Sequence, residues 1–140
     1  MTIQEKQQQV IEEFSMFDDW MDKYSYLIEL GKDLPPIDEK FKDNQHLISG
    51  CQSKVWLHAQ INDDGKIYFT ADSDAVITKG IVSLLIKVFS GHTPDEILQA
   101  DFDFLDKIGL KEHLSPTRSN GLLSMIKQIQ LYAKAFKLKN

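Results

Sequence analysis

The sequence predicts an α+β fold, from three observations. A 3.6-residue apolar rhythm runs through the first third of the chain, a period-2 alternation through the middle, and the helical rhythm again through the last half. Helices followed by antiparallel strands followed by helices segregate the two kinds of element, with no alternation of the kind that builds a parallel sheet. The 140 residues suit one domain, 1–140, with a core of its own.

In the first helical stretch, Thr2 and Glu5 form a capping box, and Ile3, Val10, Ile11 and Phe14 mark one face. Asp18 or Asp19 caps a second helix with Trp20, Tyr24, Leu27 and Ile28 on its apolar side. Gly31 reads as its stop, Pro35-Pro36 forbids continuation, and residues 32–44 read as a polar connector. From Val55 to Ile61 the odd positions are apolar. Asn62-Asp63-Asp64-Gly65 is a turn, and Ile67, Phe69 and Ala71 resume the alternation, so a hairpin is expected. Leu47-Ile48 is a candidate third antiparallel strand, with Cys51 at the turn between it and the hairpin.

Ser73 or Asp74 is the expected cap of a helix reaching about Ser90, apolar nearly all round and therefore central. Thr93-Pro94-Asp95-Glu96 is a second capping box with proline at the first helical position. A short helix and a loop with Asp101, Asp103 and Asp106 follow. Ser115-Pro116 then opens a last helix striped by Leu122, Ile126, Ile129, Ala133 and Phe136.

Charge and motif content exclude several function classes. A net charge of −5 lacks the basic footprint of a general nucleic-acid binder. No apolar run approaches the about 18 residues of a membrane span. No cationic, apolar leader opens the sequence, so the cytoplasm is the expected compartment. Cys51 is the single cysteine, which rules out an intrachain disulfide and an all-cysteine cluster site. The four histidines show no metal-ligand spacing, so no metal is expected, and the familiar nucleotide and hydrolase motifs are absent.

Chemistry is expected at Gly50-Cys51-Gln52-Ser53. Glycine before and polar residues after the cysteine place it at a loop tip beside a sheet, where a thiolate could attack or accept sulfur. The plain alternative is a small buried hydrophobe. Asp74 is read first as a helix cap and second as a group near the cysteine loop that tunes a partner contact. Arg118, with five fixed donors after Pro116, would hold either a neighbouring loop or a partner carboxylate. Lys79 and the Asp101, Asp103, Asp106 set read as solvated, and Trp56 as a packing residue.

Four blocks carry a resemblance to a known family. His46-Leu-Ile-Ser-Gly-Cys-Gln-Ser-Lys-Val-Trp56 resembles the signature of the SufE family of cysteine desulfuration proteins. Ala71-Asp-Ser-Asp-Ala-Val-Ile-Thr-Lys-Gly80, His113-Leu-Ser-Pro-Thr-Arg-Ser-Asn-Gly-Leu122 and Tyr24-Ser-Tyr-Leu-Ile-Glu-Leu-Gly31 with Leu34-Pro35 are similar to further blocks of that family, in the same order. His46 stands where the family usually has asparagine. The resemblance implies a three-stranded antiparallel sheet with helices packed on it, as in the scaffold IscU. It also implies a sulfur acceptor that takes persulfide sulfur from the PLP-dependent cysteine desulfurase SufS onto Cys51 and stimulates its turnover. The sulfur would pass to a SufBCD-like iron–sulfur scaffold complex. PLP would belong to the partner, and this chain would need no cofactor. An IscU-type scaffold and a non-catalytic adaptor with a buried cysteine are the alternatives; a single cysteine opposes the scaffold. Whether the chain forms a homodimer is left open.

Overall fold

The computed structural model describes residues 1–139. Its elements run α1 (Ile3–Ser15), α2 (Trp20–Lys32), a 3₁₀ turn (Glu39–Phe41), β1 (Val55–Ile61), β2 (Ile67–Ser73), α3 (Val76–Phe89), α4 (Pro94–Gln99), α5 (Asp103–Lys107), α6 (Leu110–His113) and α7 (Pro116–Lys139). Both capping boxes form as expected: Thr2 with Glu5 opens α1, and Thr93 with Glu96 opens α4 behind Pro94. Asp19 caps α2 by accepting the Asp22 amide at 2.9 Å.

The hairpin has the predicted faces. Leu57 pairs with Ala71 and Ala59 with Phe69, and all four are buried. Gly65 adopts φ +75°, in the left-handed region the turn requires. The sheet has two strands among the described residues, not three. Where a third strand was expected, Leu47 makes a single antiparallel bridge to Trp56. Ile48 donates to the Val55 carbonyl at 2.8 Å and Leu57 to the His46 carbonyl at 2.9 Å. Gly50, at φ +90°, then turns the chain away before a strand can extend. The far edge is closed in the same economical way: Ile67 donates to the His92 carbonyl and Phe69 to Ser90 Oγ. Both edges are thus occupied by short irregular segments, which blunts them against pairing with other chains.

α3 is the central helix, with ten of its fourteen residues buried. It crosses α2 backbone to backbone. A methyl at Gly80 would overlap the Leu27 carbonyl oxygen, and one at Gly31 would stand 3.1 Å from the Gly80 amide nitrogen. Gly31 therefore does not stop α2, which continues to Lys32; it is a contact residue inside the helix. Ser83 reinforces the crossing by donating to the Leu30 carbonyl at 2.6 Å.

Other expectations are also revised. Ala75 occupies the cap position of α3 with no side-chain cap bond, so neither Ser73 nor Asp74 caps it. The connector after α2 is not wholly polar, since it buries Leu34 and Ile37 around its 3₁₀ turn. The aspartate-rich stretch is not a loop: it forms α5 and α6, because Phe104, Leu105 and Leu110 are buried there. α7 buries the predicted Leu122, Ile126, Ile129 and Ala133, while Phe136 is only partly covered.

The α2–α3 crossing yields a prediction. Gly80→Ala forces two helix backbones apart and should cost at least about 3 kcal/mol, at the upper end of overpacking effects. Gly31→Ala, whose neighbour needs to yield by only a few tenths of an ångström, should cost less. Urea midpoints at constant m-value measure both; a Gly80→Ala protein as stable as wild type would contradict the crossing.

Candidate functional site

Cys51 sits where three elements meet. The loop 50–54 leaves the short bridge segment and returns as β1. The first turns of α3 contribute Thr78 and Ile81, and the first turns of α7 contribute Thr117, Arg118, Gly121 and Met125. Together with Cys51, Gln52 and Ser53 they enclose a pocket of about 50 Å³. That is several times the about 10–15 Å³ that one water requires.

The sulfur rests on the backbone of α7. Cys51 Sγ lies 3.7 Å from the Gly121 carbonyl oxygen, to which the thiol donates. A methyl on Gly121 would stand 3.4 Å from the sulfur, so glycine here keeps the helix surface bare beneath it. Gly50 approaches α7 as well: its φ of +90° suits glycine, and a Cβ there would collide with Ser124 Oγ.

The electrostatics of this seat favour the neutral thiol. Cys51 is half-buried against the core cluster, and that burial pushes its pKa up. A thiolate in the same position would face a carbonyl oxygen in place of a donor. The start of α3, which also borders the pocket, does not outweigh that burial.

The other expected residues divide into two groups. Gln52, Ser53 and Arg118 line the Cys51 pocket, with Arg118 exposed at its rim. Among the described residues no carboxylate pairs with the Arg118 guanidinium; its amide donates to Ser115 Oγ at 3.3 Å, part of the start of α7. Asp74 does not reach the sulfur pocket. Its carboxylate accepts the Lys54 amide at 3.0 Å, and its own amide donates to the Lys54 carbonyl at 3.2 Å. It is a clasp on the exit of the cysteine loop.

The opposite end of the loop is held by His46. Its Nδ1 lies 2.7 Å from Asp43 Oδ1 and its Nε2 lies 3.3 Å from His58 Nδ1. His58 in turn stacks on Phe41 with ring centroids 3.6 Å apart. Histidine at position 46 thus ties the start of the loop to the sheet, and His58 serves that tie and not Cys51. Lys79 is not merely solvated: it pairs with Asp72 at 3.4 Å.

Thr78, Ile81, Met125 and Ser124 had not been singled out from sequence. A signal was present for Thr78, which lies in the Ala71–Gly80 block, as Arg118 and Gly121 lie in the His113–Leu122 block. The three blocks that flank and contain Cys51 converge on one pocket.

Comparison with known proteins agrees with that geometry. A family model described as "SufE: Fe-S metabolism associated domain" matches residues 8–133. An uncharacterized SufE-like protein of Rhizobium meliloti is 42% identical over 130 residues, covering 90% of this chain and 93% of that protein. The Arabidopsis thaliana "SufE-like protein 1, chloroplastic/mitochondrial" is 39% identical over 134 residues, covering 96% of this chain but 36% of the longer plant protein. The solution structure of a hypothetical protein from Thermus thermophilus has the same fold, with a TM-score of 0.79 at 22% identity over 95% of this chain and 96% of that one. An α+β fold carrying one thiol on a loop between two helix starts defines the class, and the chain belongs to the SufE family. Its role lies in iron–sulfur metabolism.

The seat of Cys51 sets its reactivity. With a pKa raised by burial, less thiolate is present at neutral pH than in a free peptide, so alkylation by iodoacetamide should be slower than for a model peptide thiol. The pH profile of labelling should be displaced upward. Gly50→Ala, which strains the loop off Ser124, should restore labelling to near the peptide rate. Peptide-like rates in the wild-type protein would contradict the sheltered seat.

Proposed function

We propose that this chain is a sulfur acceptor and carrier for iron–sulfur cluster assembly, with Cys51 as the carrying thiol. The observation that supports this most directly is the pocket itself. The chain's one cysteine rests half-buried beside a cavity with room for a second sulfur atom. A buried cysteine with no such space beside it would suit a plain adaptor. Among the described residues no group of three or more His, Cys, Asp or Glu side chains could hold a metal ion, which gives the IscU-type scaffold alternative no ligand set.

The chemistry is a sulfane transfer without net oxidation. The donor is a cysteine persulfide on a SufS-like, PLP-dependent desulfurase, which supplies the cofactor. The Cys51 thiol gives up its proton, and its sulfur attacks the terminal sulfur of that persulfide. The donor's S–S bond breaks, its cysteine leaves as a thiolate and takes up a proton, and Cys51 becomes the persulfide. A SufBCD-like scaffold receives the sulfur by the same exchange. Removing the product from the desulfurase accelerates its turnover. No helix of the described chain is long and apolar enough to cross a membrane, and the cytoplasm, where a lone thiol stays reduced, is the compartment this reading favours.

At rest the Gly121 carbonyl and the burial of the thiol against α7 hold the sulfur neutral and inward. Docking must move the loop outward, and it does so only if the partner binds the outward form more tightly. Gly50 provides the pivot. The Asp74 and His46 ties hold the two ends of the loop in place, so the motion is confined to residues between them. Arg118, exposed at the rim without a carboxylate partner among the described residues, is placed to engage an acidic group on the desulfurase.

Two variants test this. Cys51→Ser should fold normally and accept no sulfur. Wild type incubated with desulfurase and L-cysteine should gain one sulfur atom on the Cys51 peptide by mass spectrometry; a serine variant that still stimulates turnover fully would refute the carrier role. Arg118→Ala should slow transfer about tenfold, the effect of losing a strong interface contact. Its stability should change by no more than about 0.5 kcal/mol, as for an exposed residue. Transfer unchanged per folded molecule would return Arg118 to a structural role.

A further inference from the structure

The outer face of α7 is unlike the rest of the surface. Its 24 residues carry five basic side chains and no acidic one, whereas the remainder of the chain carries 11 basic and 21 acidic residues, a net −10. On that face Leu123, Lys127, Leu131, Lys134 and Leu138 fall within about 80° of helical arc, since successive residues advance about 100°. The leucines are not core residues: Leu123, Leu131 and Leu138 are 46%, 59% and 79% exposed. Beside them Leu98 of α4, with Lys127, Leu131 and Lys134, lines an open groove of about 360 Å³. Among the described residues neither Lys127 nor Lys134 has a carboxylate partner within 4 Å, although Lys137 on the same helix pairs with Asp95 at 2.8 Å.

We propose that this face is a docking surface for an acidic amphipathic helix of a protein partner. Exposed leucines seven or eight residues apart, alternating at steps of three or four with free ammonium groups, are complementary to a helix with apolar residues along one face and flanking Asp or Glu. A second copy of this chain is a poor occupant, because a two-fold pairing would set Lys127 and Lys134 against their own copies. An anionic bilayer is also poor: the rest of the chain carries a net −10, and the stripe offers no aromatic residue for the interface. Cys51 rests against the opposite side of α7, through Gly121 and Met125, so both surfaces could be occupied together. The proposal does not depend on sulfur transfer at Cys51.

The test uses the full chain and a fluorescein-labelled synthetic helix with leucines at i, i+4, i+8 and glutamates flanking them. Anisotropy titration should give micromolar binding at about 50 mM salt that weakens several-fold at about 500 mM, as screening requires. Lys127→Glu/Lys134→Glu should weaken it at least tenfold, and a companion peptide with lysine for glutamate should bind that variant in its place. Leu131→Asn should weaken binding comparably, with the melting temperature of each variant near that of wild type. The proposal is overturned if the peptide does not bind, or if it binds wild type and variants alike. It is equally overturned if phosphatidylglycerol vesicles bind this face while the peptide does not, or if sedimentation shows the face occupied by a second copy.

Discussion

The backbone contact between α2 and α3 fixes most of what surrounds it. With glycine at positions 31 and 80 the two helices approach until the Gly80 Cα hydrogens face the Leu27 carbonyl. α3 is then held in the middle of the molecule, α2 on one side and the hairpin on the other. Its first turns project Thr78 and Ile81 to the edge of the sheet, at the level where the chain enters β1 from the Cys51 loop. A wider crossing would displace that part of the cysteine pocket. The close approach forgoes the ordinary helix preference against glycine, a loss of about 1 kcal/mol per residue relative to alanine, in exchange for position.

α7 completes the pocket from the other side. Gly121 leaves its backbone uncovered so that the thiol can donate to a helix carbonyl, and Ser124 receives the turn at Gly50. The result is a sulfur protected by its surroundings and not activated by them. Among the described residues no base approaches it, and burial raises its pKa. A side chain meant to react with small molecules would be arranged oppositely, fully exposed and with its thiolate favoured. A carrier that exchanges sulfur with proteins benefits from being inert until a partner moves its loop.

The fold class was legible because the hairpin alternation and the apolar α3 are both long and unambiguous. Cys51 was legible as the sole cysteine behind a glycine. Failures came where a residue type has two structural uses. Gly31 looks like a helix stop in sequence, and only the opposing Gly80 shows it to be a contact. Asp74 precedes a helix, yet the Lys54 amide claims its carboxylate and leaves α3 uncapped by a side chain. Leu47-Ile48 has strand composition, but Gly50 turns the chain before pairing can continue. The walls of the pocket come from segments about 30 and 70 residues away from the cysteine along the chain, a separation that local periodicity does not bridge.

The most direct test of a sheltered sulfur carrier is the fate of a single sulfur atom. The chain, loaded in one turnover by a desulfurase from L-cysteine with radiolabelled sulfur, is separated from the enzyme and challenged with glutathione. The account predicts that label sits on Cys51 and is released slowly from the folded chain, but promptly once the chain is unfolded in urea. Label absent from Cys51, or lost equally fast from folded and unfolded chains, would contradict it.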